Sequence, residues 1–169
     1  MNINIFIIFI FALLLGIYNL FTPNIPTASN DKEQPQLELF DFTIYTINEQ
    51  MIESSLGGAE GKKYELYYEI DDVLYRDLSK PLKDTISSDY ARYESDILKL
   101  EHNVHYSRAD GLSLRAPIII YDKNRDTITS PKTFISTKDK HRVSGTELVY
   151  NSKNETIKAQ SVSAVYHLK

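Results

Sequence analysis

Displaced by 29 residues, the sequence lies over itself. Ala-Pro-Ile-Ile-Ile-Tyr-Asp-Lys-Asn-Arg-Asp-Thr-Ile (Ala116 to Ile128) covers Gly-Thr-Glu-Leu-Val-Tyr-Asn-Ser-Lys-Asn-Glu-Thr-Ile (Gly145 to Ile157). Tyr121 meets Tyr150, Asp126 meets Glu155, Thr127 meets Thr156 and Ile128 meets Ile157. A fainter copy precedes them, in which Tyr93 and Glu94 match Tyr121 and Asp122, and Leu98 follows near the place of Ile128. Each unit reads as strand, polar turn, strand. A lone hairpin cannot bury its apolar side, so such units must stack on neighbours. The chain is thereby committed to an all-β, antiparallel body.

Alternation supports this beyond the repeat. Strands place successive side chains on opposite faces. Leu112, Leu114, Ala116, Ile118 and Ile120 are expected on one face, and Ser113, Arg115 and Pro117 on the other. Leu98, Leu100, Val104 and Tyr106 form a second row, Tyr64, Leu66, Tyr68 and Ile70 a third, and Phe40, Phe42 and Ile44 a fourth. Asn-, Asp- and Ser-rich turns fall at 94–96, 122–126 and 151–155. Beyond the Tyr64 to Ile70 row, the strand positions over Met51 to Lys83 stay open. One irregularity is expected as well. Ile157 and Ala159 are out of phase with Val162, Ala164 and Tyr166, which a bulge would correct. The 29-residue shift puts Pro131 at the same point as Gln160, where a missing N–H is tolerated.

The head of the chain is different material. Residues Ile3 to Phe21 are almost wholly apolar, and no charged side chain precedes Asp31. About 20 helical residues span the hydrocarbon core of a bilayer. With no basic n-region and a poor cleavage site near Ala28, residues 1–21 read as an uncleaved transmembrane anchor. Pro23, Pro26 and Pro35 make 22–36 an extended linker, leaving 37–169 as the β-domain on the outer side of the membrane.

Composition removes several function classes. There is no cysteine, hence no disulfide, thiolate metal site or cysteine nucleophile. A net charge of −4 without a basic face argues against nucleic acid. The four histidines, His102, His105, His141 and His167, have no metal-ligand spacing, and no catalytic triad or phosphate-cradling loop is present. No enzymatic activity, metal or cofactor is expected.

Read in order, anchor, linker and repeated hairpins resemble the LptC family, the inner-membrane-anchored periplasmic component of lipopolysaccharide transport. The likeness runs from Leu98 to Tyr166. It is strongest in Val-Ser-Gly-Thr-Glu-Leu-Val-Tyr (Val143 to Tyr150) and Ile-Lys-Ala-Gln-Ser-Val (Ile157 to Val162). Leu100-Glu101-His102-Asn103-Val104 is similar to an L-x-x-N-V element shared with OstA-like carriers. The resemblance implies a β-jelly-roll of two facing antiparallel sheets that shelters acyl chains between them. It implies receipt of lipopolysaccharide from inner-membrane ABC transporter subunits and delivery to a soluble periplasmic jelly-roll carrier, by sheet-edge pairing at both ends. It also implies a single-pass protein of the bacterial inner membrane with its C-terminal domain in the periplasm.

The lipid-groove candidates are Leu98, Leu100, Val104, Ile118, Ile120, Phe134, Leu148, Tyr150, Ile157 and Val162, against ordinary sandwich core as the plain alternative for each. Gly145 occupies the place of a family glycine and is a docking candidate or a simple strand-entry residue. Lys132, Lys138, Lys140, His141 and Arg142 cluster around one turn, either solvated or facing the phosphates of a glycolipid head group. The rival function is an anchored scaffold for an envelope complex, with a packed core and no lipid ligand.

Overall fold

The computed structural model describes residues 34–49, 51–151 and 153–167. The expected anchor, and the linker up to residue 33, lie outside the described residues. No helix among the described residues is long and apolar enough to cross a membrane.

Nine antiparallel strands form one sheet in chain order. They are β1 (Leu37–Ile47), β2 (Ile52–Lys63), β3 (Tyr67–Asp77), β4 (Asp84–Glu94), β5 (Ile97–Arg108), β6 (Ser113–Asp122), β7 (Thr127–Lys138), β8 (His141–Asn151) and β9 (Thr156–Val165). The three expected turns are present, and each repeat unit is a hairpin: β4–β5, β6–β7 and β8–β9. The tyrosine and aliphatic residue of each unit pair across their turn, as Tyr93 with Leu98, Tyr121 with Ile128 and Tyr150 with Ile157. β2 and β3 fill the stretch that alternation could not place. Tyr64 and Leu66, expected in a strand row, lie in the turn between them.

Every strand is interrupted near its middle. Leu114 and Ala116 of β6 pair with Tyr106 and Val104, yet beyond Pro117 it is Ile119 and Tyr121 that pair with Leu100 and Leu98. Paired residues share a face, so the inward phase of β6 steps by one. That step corrects the unbroken row expected from Leu112 to Ile120. Ile118 and Ile120 lie on the opposite face, paired with Glu101 and Lys99. The same step occurs in β1 at Asp41 (φ 45°), in β3 at Asp72 (φ 54°), in β8 at Glu147 (φ 53°) and in β9 at Ser161 (φ 49°). It puts Phe40 outside, 66% exposed, and Phe42 inside, against the row expected for them. β5 carries two positive-φ residues, His102 and Asn103, between Leu100 and Val104. In β7 the register shifts between Ser130 and Thr133, around Pro131. The expected break between Ala159 and Val162, and the proline at its repeat-equivalent, are thus both borne out.

Together these irregularities draw one crease across the sheet. Without the phase steps, each strand would show its apolar residues on one face before the bend and the other face after it. With them, one face carries the whole core: Val73, Ala91, Leu100, Val104, Ala116, Ile119 and Phe134. Val104 is only 1% exposed. Among the described residues there is no second layer to cover it, and a flat sheet leaves both faces wet. The cover is therefore the sheet's own other arm, folded over at the crease. Where two facing sheets were expected, the described residues form one continuous nine-stranded sheet.

Candidate functional site

The inner face is closed in the middle and open at the sides. Its central residues are buried, Leu100 at 5%, Phe134 at 4% and Ser130 at 0%. Towards the free edges inward positions become exposed: Ile44 on β1 at 50%, Val162 and Ile157 on β9 at 55% and 69%. The result is an apolar slot between the arms, filled at its centre and accessible at β1 and β9.

Of the groove candidates, Leu98, Leu100, Val104, Phe134, Leu148, Tyr150, Ile157 and Val162 share this face, through pairs such as Ile128 with Tyr150 and Ser130 with Leu148. Ile118 and Ile120 do not, for the phase reason above. Gly145 is buried opposite Phe134. A Cβ there would stand 2.9 Å from the Gln160 carbonyl and 3.0 Å from the Phe134 ring. The aromatic ring lies on the glycine, so this residue is a packing element of the inner face. Gly61 is covered in the same way by the Phe42 ring.

Two lips border the slot where the hairpin turns emerge. One carries a ladder of inward residues running Tyr68, Tyr93, Leu98, Tyr121, Ile128, Tyr150, Ile157 from β3 to β9. The Tyr93 hydroxyl donates to Asp96 at 2.8 Å and that of Tyr121 to Asp126 at 3.2 Å. Asp96 raises the Tyr93 pKa; burial first, then Asp126, raises that of Tyr121. The groove candidates took in Leu98, Tyr150 and Ile157 of this row but missed Tyr68, Tyr93 and Tyr121, which the alternating tyrosines of the repeats could have disclosed.

The other lip is a belt of ion pairs. Lys80 bridges Asp77 at 2.9 Å and Asp84 at 3.4 Å. The Tyr106 hydroxyl donates to Asp84 at 2.8 Å. Asp110 receives both Arg108 and Lys138 at 2.9 Å, tying the β5–β6 turn to the end of β7. Hydrogen bonds from Arg108 and then Lys138 hold Asp110 well below the usual carboxylate range. Lys138 of the expected basic cluster is thus engaged by a carboxylate. A cleft of about 630 Å³ lies along the crease from β4 to β7, lined by the polar Asp89, His105 and Arg115 and also by Val104, Ala116 and Phe134 of the core. It belongs to neither lip. Among the described residues no group of His, Cys, Asp or Glu could hold a metal.

The family described as "Lipopolysaccharide-assembly, LptC-related" matches residues 5–167. The chain belongs to the LptC family. Membership gives it a role in lipopolysaccharide transport. Among solved structures, the chain is similar to LptH of Pseudomonas aeruginosa, described as the LptA-homologous periplasmic component of the conserved lipopolysaccharide transport device. The identity is 9% and the TM-score 0.50, over 82% of this chain and 99% of that one. At that identity the likeness speaks for the fold alone. No curated protein sequence matches the chain. For a member of the LptC family, a creased all-β sheet with an apolar inner face is the structure to which transport must be related.

Proposed function

We propose that this LptC-family chain is a periplasmic lipopolysaccharide carrier. It receives the glycolipid from inner-membrane ABC transporter subunits and passes it to a soluble jelly-roll carrier. Residues 1–21 anchor it as a single-pass helix, and 22–36 tether the β-domain. Its part is passive: apolar side chains between the arms shelter acyl chains while a partner supplies the work. The observation that carries this reading is the inner face, whose apolar ladder continues from the buried centre to exposed residues at both edges. Exposed apolar groups of this kind mark a contact surface. Among the described residues β1 and β9 also have only one strand neighbour each. Their free N–H and C=O groups offer edge-to-edge addition of another sheet, which would continue the slot into a partner.

The scaffold alternative draws on the filled centre of the slot. The two are separated by a photo-crosslinking residue placed in the full chain, in membranes containing lipopolysaccharide. Crosslinks to the glycolipid are expected from Leu148 and Ile157, and none from Ile118 or Ile120. Protein crosslinks alone, with no lipid adduct at any inner position, would leave the scaffold standing.

A further inference from the structure

Resting on the carrier reading, the geometry points to the tyrosine lip as a saccharide-binding rim that takes the sugars adjoining the acyl chains. Polarity is graded across this arm. The deeper inner row is apolar, with Ile70 paired to Ala91, Ala91 to Leu100, and Leu100 to Ile119. Next outward is the ladder holding Tyr68, Tyr93, Tyr121 and Tyr150. Beyond it are the turn carboxylates Asp96 and Asp126 that accept the tyrosine hydroxyls. An amphiphile with chains inward and a polyhydroxylated head outward meets the same order of chemistry.

Tyrosine suits the boundary because its ring is apolar while its tip is polar. Pinning the hydroxyls of Tyr93 and Tyr121 to turn acids fixes two ring orientations, so little side-chain freedom is lost on contact. The Tyr150 hydroxyl has no partner among the described residues and is available to a sugar hydroxyl. Strands are spaced about 4.8 Å. Tyr93, Tyr121 and Tyr150 lie on every second strand, hence about 10 Å apart, a spacing comparable to a disaccharide. At the turns of this lip Asp96 stands 3.8 Å from Lys123 and Asp122 3.6 Å from Arg125, so both signs of charge are present, and carboxylates and ammonium groups alike hydrogen-bond to sugar hydroxyls.

The test uses the full chain in detergent with three probes: rough lipopolysaccharide, the soluble core oligosaccharide released from it, and a diacyl phospholipid. Tyr121→Leu and Tyr150→Leu keep bulk and apolarity but remove the ring; Tyr150→Phe keeps the ring. Each Leu change is expected to weaken lipopolysaccharide and oligosaccharide binding roughly fivefold, the loss of one aromatic contact. Phospholipid binding should stay within twofold, and Tyr150→Phe should stay close to the parent for every probe. Equal loss for lipopolysaccharide and phospholipid would make the rings mere slot wall and overturn the proposal, as would unchanged lipopolysaccharide binding. Thermal melts of each variant separate these outcomes from misfolding. If the parent binds no lipopolysaccharide at all, the carrier reading itself falls.

Discussion

Gly145 and Ser130 show how tightly single residues are constrained at the centre of the slot. A methyl group at Gly145 would meet the Gln160 carbonyl at 2.9 Å and the Phe134 ring at 3.0 Å. Backbone cannot yield cheaply, and overpacking of this kind costs about 1–3 kcal/mol. Gly145→Ala should therefore lower stability by that amount in a urea titration. Ser130 is the opposite case. Its hydroxyl is fully buried and has no hydrogen-bond partner among the described residues. An unsatisfied buried hydroxyl costs about 1–3 kcal/mol, so Ser130→Ala should be neutral or stabilising in the same titration. Asp77 sets a pH limit on the charged lip. The Ser79 hydroxyl, at 2.6 Å, and then Lys80 lower its pKa to about 2. A depressed carboxylate contributes stability that is present above its unfolded pKa of about 4 and is lost as pH falls through the folded value. The stability gap between the parent and Asp77→Asn should thus be full at neutral pH and close between about pH 4 and about pH 2. An unchanged gap at pH 2 would show that the carboxylate charge is not what holds this turn.

The crease governs what could be read of the elements from the sequence. Hairpins and turns from β4 onward were legible because the repeat supplies Tyr, polar turn and Ile at matched places. The break in β9 was legible too, since Ile157 and Val162 differ in parity and Pro131 sits at the matching point. The step in β6 was hidden, because Ile118, Ile119 and Ile120 are the same residue and any phase fits them. β2 was hidden for another reason. Its Gly57, Gly58 and Gly61 speak against a strand locally, while the Phe42 ring lies over two of them and replaces the missing side chains. Tertiary packing there overrides propensity. If the crease is held by left-handed residues, its chemistry is testable at Glu147, φ 53°. A β-branched side chain is poorly accommodated there, at a cost of roughly 1–2 kcal/mol. Glu147→Val should destabilise by that amount while Glu147→Gly stays near the parent, as read by chemical denaturation. Equal loss in both would shift the cause to the Glu147–Gln160 hydrogen bond.

For the whole molecule, the filled centre of the slot sets the energetic problem of carriage. Val104, Ser130 and Phe134 are buried at that centre, so a chain passing from the β1 edge to the β9 edge must displace core contacts. Burying an aliphatic or aromatic side chain is worth about 1.5–3 kcal/mol, and each lipid methylene about 0.8 kcal/mol. Core residues that part around an acyl chain exchange one apolar neighbour for another, so their burial is largely kept. The net driving force is then the lipid's own removal from water. Such an exchange needs the arms to move apart without breaking the ladder between neighbouring strands, and the crease is the line where the pairing from β4 to β9 is already irregular. The arms should act as two plates hinged there. Spin labels at Lys123 and Lys140, on turns at opposite ends of β7, report the separation of the two lips. Addition of rough lipopolysaccharide to the full chain should lengthen that distance, while labels at Lys123 and Lys153, both on the tyrosine lip, should keep theirs. A lip-to-lip distance that does not change on saturation would mean the lipid sits only on the exposed edges, and that passage through the centre is not how this sheet carries it.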